Sequence, residues 1–313
     1  MPQDISGYDV GALLYCPANA HHTVAQAVAA ERLPRPFSLA LCLEDTVRAD
    51  ALAAAEQAVE QTLHDLTDAA RQETFYRPLT FVRVRSPEQL ARLGRAYGKY
   101  RPLLTGFILP KFFIETCGAY CAVIRDLQAD GLDYFYMPVF EAPSMLPLHT
   151  RHAALAEVKA QLDALREHIL NIRVGGNDLC HVFGLRRDPG HTIYDLRPVA
   201  DVLTDLLTTF APDYLVAGPV WEYYDGPGWA EGLAQECALD RLDGFVGKTV
   251  IHPKQIPSVN QSLQVSPADY ADANSILTWD DPCLVAPSAE GTRMNEYQTH
   301  FRWAQRVAAL AQA

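Results

Sequence analysis

What the chain lacks narrows its function first. No apolar run approaches the roughly 18 residues needed to span a bilayer. The start, Met1-Pro2-Gln3-Asp4-Ile5-Ser6, has no charged stretch leading into an apolar one. A secretory signal is therefore not expected, and a cytoplasmic location is. No CxxC occurs, and the cysteines, an odd number, are scattered at 16, 42, 117, 121, 180, 237 and 283. That spread predicts reduced thiols rather than a disulfide framework. Positive charge is scarce: 26 Lys and Arg stand against 38 Asp and Glu, a net charge of −12. Such a balance argues against nucleic acid or an anionic membrane as partner, while leaving room for a local basic pocket that takes an anionic metabolite. A glycine-rich dinucleotide fingerprint is also missing.

What is present is ordinary globular material. The 313 residues are 49% hydrophobic and 20% charged, ample for a large core. Apolar, β-rich runs at 10–16, 37–43, 79–84, 105–109, 134–140, 169–174, 212–217 and 246–251 predict eight strands. Their starts lie between 26 and 43 residues apart, about the size of one βα unit of roughly 30 residues or more. No two are close enough for a tight hairpin, so parallel pairing with helical crossovers is expected.

The spacers read as helices. Leu52, Ala55, Val59, Leu63 and Leu66 form one apolar stripe, and Leu155, Val158, Leu162 and Leu165 another. Ser86-Pro87 reads as a helix start, with Ser as N-cap and Pro in the first position. Eight such units predict a (β/α)8 TIM barrel over residues 1–262, with an open doubly wound sheet as the alternative. After that the pattern changes, and 263–313 reads as a C-terminal helical arm packing on the barrel or on a neighbouring subunit.

Catalytic groups of a barrel sit at the C-terminal ends of its strands. Glu141 follows Tyr134-Phe135-Tyr136-Met137-Pro138-Val139-Phe140, and Asp178 follows Ile169 through Gly176-Asn177. Two carboxylates from neighbouring parallel strands can share one hard divalent cation. Mg²⁺ suits such a pair because it takes oxygen ligands and keeps several waters for substrate to replace. Mn²⁺ is the expected substitute. The bland alternatives are a solvated loop acid for Glu141 and a turn or cap residue for Asp178.

Other strand ends add Glu44-Asp45, Arg83, Lys111, Gly218-Pro219 and Ile251-His252. Arg83 can serve an anionic substrate or pair structurally with Glu44 or Asp45. Those two acids are expected to orient Arg83 or a metal-bound water. Lys111 is either an active-site cation or a rim lysine. His252 is either an acid–base group or the holder of a structural hydrogen bond. His21-His22 reads as a solvated helix start. Cys117, Cys121 and Cys180-His181 have no partner at zinc-site spacing and read as packing.

Several segments carry a resemblance. Leu41-Cys42-Leu43-Glu44-Asp45-Thr46-Val47, Phe81-Val82-Arg83-Val84, Gly106-Phe107-Ile108-Leu109-Pro110-Lys111, Gly175-Gly176-Asn177-Asp178-Leu179 and Gly247-Lys248-Thr249-Val250-Ile251-His252-Pro253-Lys254-Gln255 occur in one order over roughly residues 10–262. Together they resemble the citrate lyase β-subunit-like branch of the HpcH/HpaI aldolase family. The segment Gly11 to Ala18 and the strand-2 block look closest to a group found with tellurium-resistance-type gene clusters.

The resemblance implies a TIM barrel holding Mg²⁺ through Glu141 and Asp178, with Arg83 binding an oxo acid and stabilising its enolate. It also implies a homo-oligomer, a trimer or a multiple of one. General chemistry agrees. A 2-oxo acid chelates a metal through carboxylate and keto oxygens, and a guanidinium nearby offsets charge that develops on oxygen.

The chain departs from that family in two places. Coenzyme A-using relatives tend to show Pro-Gly and a basic residue after strand 1, where this chain has Pro17-Ala18-Asn19-Ala20-His21-His22. They also tend to carry a Lys beyond the acidic strand-2 motif, where only Arg48 is available. Acyl-CoA substrates are therefore in doubt. In the arm, Asp280, Asp281 and Glu290 match no motif that selects one for a neighbour's site.

The expected activity is Mg²⁺-dependent carbon–carbon cleavage or formation on a 2-oxo acid or its aldol or Claisen adduct. The rivals are phosphoryl or phosphonyl transfer on an enolpyruvate-type substrate, supported thinly by Gly218-Pro219 and Gly247-Lys248, and a non-catalytic metabolite-binding barrel.

Overall fold

A computed structural model describes residues 5–18, 21–72 and 74–313. The strand-1 exit at Asn19 and Ala20, and the start at Met1 to Asp4, lie outside the described residues. Eight strands form one parallel sheet: β1 Ala12–Pro17, β2 Ser38–Cys42, β3 Thr80–Arg83, β4 Leu104–Leu109, β5 Phe135–Phe140, β6 Ile172–Val174, β7 Val216–Ala217 and β8 Lys248–Val250. Their spatial order is β7-β6-β5-β4-β3-β2-β1-β8. The two ends of that order meet through a parallel bridge between Gly218 and Lys248 and a hydrogen bond from Val246 N–H to the Val216 carbonyl. The sheet is thereby a nearly closed barrel, which decides against the open doubly wound alternative.

The crossovers are α1 His21–Ala29, α2 Leu52–Gln72, α3 Pro87–Ala96, α4 Cys117–Ala129, α5 Leu148–Asp163, α6 Gly176–Val182, α7 Arg197–Phe210 and α8 Trp229–Asp243. The apolar stripes read from the sequence face the sheet: Ala55, Val59, Leu63 and Leu66 of α2 are buried, as are Leu155, Val158 and Leu162 of α5. α3 starts where its cap predicts, with the Ser86 side chain accepting from Gln89 N–H and Pro87 in the first turn. Gln89 answers by accepting from Arg85 N–H, so the end of β3 and the start of α3 are tied together.

Alternation sends every second side chain of a strand inward. Leu13, Ala40, Phe81, Ile108 and Met137 thereby meet in one cluster with Val10, Val139 and Leu170. This apolar filling blocks the barrel below the strand ends and leaves the C-terminal rim as the place for chemistry.

Outside the barrel wall, a buried ionic network ties β8 to α8. Lys248 Nζ lies 2.9 Å from Glu236 and 2.7 Å from Asp240, with all three side chains nearly inaccessible. Tyr194 donates to Asp240, and Ile193 N–H donates to Glu236. Lys248 is thus committed to two carboxylates and is no phosphate ligand, so the Gly247-Lys248 contribution to a phosphate cradle falls away. His252 is similarly occupied: its Nδ1 accepts from Lys254 N–H and its ring stacks on Tyr224 at 4.6 Å. The structural alternative holds for it. Cys117, Cys121 and Cys180 are buried free thiols, and among the described residues no group of three or more His, Cys, Asp or Glu side chains is placed to hold a metal by itself.

The chain divides into two compact units, Met1–Asn260 and Gln261–Ala313. Within the second, α10 (Pro267–Leu277, after α9 Ile256–Leu263) packs on α11 (Tyr297–Gln312). Ala273, Ile276, Ala304 and Val307 make its core. Among the described residues, no helix is long and apolar enough to cross a membrane.

Lys248 gives the fold a test. Lys248→Ala strands two carboxylates in a buried site, and losing one partner of such a network costs about 3–5 kcal/mol. Urea unfolding is expected to show a midpoint lowered to match.

Candidate active site

The rim charges are assembled by five strand exits. Arg83 ends β3 and is the hub. Its Nη2 lies 2.7 Å from Glu141 Oε1, one residue past β5, and 3.1 Å from Glu44 Oε2, two residues past β2. The guanidinium is nearly buried, and both carboxylates are buried too. Tyr15 of β1 lies beneath it, with 5.7 Å from guanidinium carbon to ring centroid.

Lys111, two residues past β4, closes the other side. Its Nζ lies 2.7 Å from Glu44 and 3.2 Å from Asp45, and its backbone N–H donates to Glu141 Oε1 at 3.1 Å. The residue stands at φ 49°, a left-handed conformation that costs a non-glycine residue energy. Thr116 Oγ1 holds the turn by donating to the Lys111 carbonyl. The β2 exit is braced from below, where Arg85 donates to the carbonyls of Leu43 and Glu44.

Electrostatics follow from this packing. Burial pushes the Glu141 carboxyl up to about 7; Arg83 opposes the rise, while the nearby Asp178 carboxylate adds to it. Burial likewise raises Glu44 against the pull of Arg83. For Asp45, burial acts upward, but the hydrogen bond shared with Glu44 and the charge of Lys111 hold it below its ordinary value. Burial disfavours the Lys111 charge, yet Glu44 and Asp45 push it up to about 12. Burial also acts against the Arg83 charge, and Glu141 outweighs it, so the guanidinium stays protonated.

Asp178 stands in the first turn of α6, behind the β6 exit, and is half-buried. The two acids singled out in the sequence are therefore neighbours on one rim. Glu141 Oε1 is taken by Arg83 and Lys111, whereas Oε2 faces Gly175, where a Cβ would come within 2.3 Å of it. The glycine is required by close approach, not by its φ of −86°. One free oxygen on Glu141 beside the Asp178 carboxylate, with no nitrogen or sulfur donor among them, is a donor set that fits Mg²⁺. It holds too few protein ligands for a closed structural site, so the remaining positions belong to water or substrate.

Glu44, Asp45, Arg83, Lys111, Glu141 and Asp178 are thus brought together. His252 is not part of the group. Two residues escaped the sequence reading. Tyr15 underlies Arg83. Arg173, in the middle of β6, is fully buried, and its Nη2 donates to Thr249 Oγ1 of β8 at 2.6 Å. Its signal was available: a charged residue inside an apolar strand run.

Known proteins can now be set beside this geometry. CitE from Mycobacterium tuberculosis, in complex with magnesium, acetoacetate and coenzyme A, is 22% identical with a TM-score of 0.63, over 98% of this chain and 100% of that one. A citrate lyase β subunit from M. tuberculosis, complexed with oxaloacetate and magnesium, is 22% identical with a TM-score of 0.56, over 82% of this chain and 99% of the other. RipC from Yersinia pestis is 17% identical with a TM-score of 0.56, over 84% and 99% respectively. At such identities the likeness speaks for the fold. No curated protein matches in sequence. A family model described as "C-C_Bond_Lyase of the TIM-Barrel fold" matches residues 4–313. That match runs through every strand and rim residue described above, and the chain belongs to the carbon–carbon bond lyases of the TIM-barrel fold.

Proposed function

We propose that this lyase acts on a 2-oxo acid, or on its aldol or Claisen adduct, through an enolate, with Glu141 and Asp178 holding Mg²⁺. The observation that carries the reading is the division of labour on Glu141. One oxygen is locked by Arg83 and Lys111, and the other is kept open beside Asp178 by the missing side chain of Gly175. When bound, the cation supplies Lewis acidity toward the oxygens of the oxo acid. The M. tuberculosis proteins described with magnesium together with oxaloacetate or acetoacetate support this choice of metal and substrate class.

The chain's own residues do the rest. Arg83, protonated at every working pH, presents the positive charge of its guanidinium to the oxygen on which negative charge grows as the carbon–carbon bond breaks. Glu44 holds that guanidinium in place from the β2 side, and Lys111 and Asp45 hold Glu44. Because Glu141 Oε1 is bonded to Arg83, the carboxylate that would hold the cation and the guanidinium are fixed relative to each other before substrate arrives. Coenzyme A stays outside the proposal: beyond the strand-2 acids the chain has Arg48, exposed and in a surface ion pair with Asp50, where coenzyme A-using relatives tend to carry a lysine. Phosphoryl transfer is disfavoured by the commitment of Lys248 to Glu236 and Asp240. The arm, Gln261–Ala313, is the expected contact between copies in a homo-oligomer.

Enolate formation can be measured without knowing the adduct. With Mg²⁺ present, the methyl protons of pyruvate are expected to exchange with deuterated solvent by NMR. Glu141→Ala and Asp178→Ala should abolish the exchange, and Arg83→Ala should slow it by about a hundredfold or more. Absence of exchange with pyruvate and other enolisable 2-oxo acids, alongside tight binding of a phosphorylated ligand, would contradict the reading.

Gly175 supplies an independent check on the metal. Gly175→Ala drives a methyl group against Glu141 Oε2, so calorimetric titration should show Mg²⁺ affinity falling by about ten- to a hundredfold. Unchanged affinity would place the cation elsewhere.

A further inference from the structure

Five cationic side chains are buried among the described residues: Arg83, Arg151, Arg173, Arg187 and Lys248. Four have a carboxylate within salt-bridge distance: Glu141 and Glu44 for Arg83, Asp205 for Arg151, Glu236 for Arg187, and Glu236 with Asp240 for Lys248. Arg173 has none. Its Nη2 donates to Thr249, and its Nε and Nη1 are buried without a partner. Burial weighs against its charge, Arg83 repels it, and Tyr15 is the neighbour that favours it. Enclosing a cation without an anion costs several kcal/mol. The other unpaired buried polar atoms among the described residues belong to groups other than arginine or to Arg83 and Arg187, whose guanidiniums have carboxylate partners, so Arg173 stands apart.

Position says what could repay that cost. Arg173 belongs to β6, one strand from Glu141, and its head reaches across the barrel interior to Thr249 on β8 and to Tyr15 on β1. Arg83, by contrast, is engaged with the β2 and β5 exits. The two guanidiniums therefore serve different sectors of the barrel interior, with Tyr15 a neighbour of both. The Arg83 sector is taken up by the oxygens nearest the cation site. The Arg173 sector offers two N–H groups to an anion at the other end of a short ligand.

We propose that Arg173 is a specificity-determining residue that receives a second carboxylate of the substrate, so that the site prefers dicarboxylate oxo acids to monocarboxylate ones of equal length. This rests on the oxo-acid reading above and deepens it. Thr249 fixes the guanidinium's orientation by accepting from Nη2, leaving the Nε and Nη1 N–H groups, on separate edges of the guanidinium, to give charge-assisted hydrogen bonds to a ligand carboxylate.

The test compares oxaloacetate with 2-oxobutyrate, which share a four-carbon chain and differ by a carboxylate in place of a methyl. Binding of each is measured calorimetrically in the presence of Mg²⁺, on freshly prepared ligand. The native protein should bind oxaloacetate at least tenfold more tightly. Arg173→Met should erase that preference while leaving 2-oxobutyrate affinity within twofold. It should also leave the melting temperature unchanged or higher, since a buried uncompensated charge is removed. Arg173→Lys keeps the charge without the planar, fixed N–H donors, and should retain only part of the preference. It serves as the reporting variant if the Met substitution does not fold. Equal affinity of the native protein for both ligands overturns the inference, as does a preference that survives in both variants or a loss that strikes both ligands alike. In each of those cases Mg²⁺-dependent binding of 2-oxobutyrate leaves the oxo-acid reading standing. If neither oxo acid binds, both fail together.

Discussion

The ion pair between Arg83 and Glu141 is the contact on which the rest of the rim depends. It joins β3 to β5 across β4, and a second contact from the same guanidinium reaches Glu44 beyond β2. Paired charges at this depth contribute little net stability, because desolvation consumes most of the attraction. What the pair supplies is position. Glu141 can present only one rotamer toward Asp178 once Oε1 is held by Arg83 and by the Lys111 amide. The left-handed turn at Lys111 is the local cost of bringing that amide into line.

This arrangement follows from the fold. A parallel barrel delivers every strand's exit to the same rim, so acids and bases distant in sequence become neighbours without long loops. The apolar filling of Leu13, Phe81, Ile108 and Met137 keeps water from below, where the effective dielectric is low and each rim charge acts strongly on the next. Glu141 shows the effect: its carboxyl is raised by burial and by Asp178 although a guanidinium touches it.

Much of this was legible in the sequence because strands and rim residues leave local signatures. The eight apolar runs fell on the eight strands, and the Ser86 cap fell where α3 begins. The last three strands are shorter than their apolar runs: only Ile172–Val174, Val216–Ala217 and Lys248–Val250 join the ladder. Hydrophobicity marks burial, whereas ladder membership depends on partner geometry that no run of residues specifies. The same limit hid Gly175, whose role is a 2.3 Å approach to a side chain 34 positions upstream. It also hid the true duty of Lys248, since an Nζ committed to Glu236 and Asp240 looks from sequence like any lysine after a glycine. Arg173 was visible and passed over because attention went to strand ends, while this side chain works from mid-strand.

The account stands most directly on where the divalent cation binds. A crystal structure of the protein with Mg²⁺ and pyruvate is the decisive measurement. The prediction is octahedral density bonded to Glu141 Oε2 and an Asp178 oxygen, with one carboxylate oxygen and the keto oxygen of pyruvate and two waters completing the shell, and Arg83 still on Glu141 Oε1. Density away from Glu141, or a Glu141 carboxylate that remains with Arg83 and Lys111 alone in the presence of saturating Mg²⁺, would contradict it.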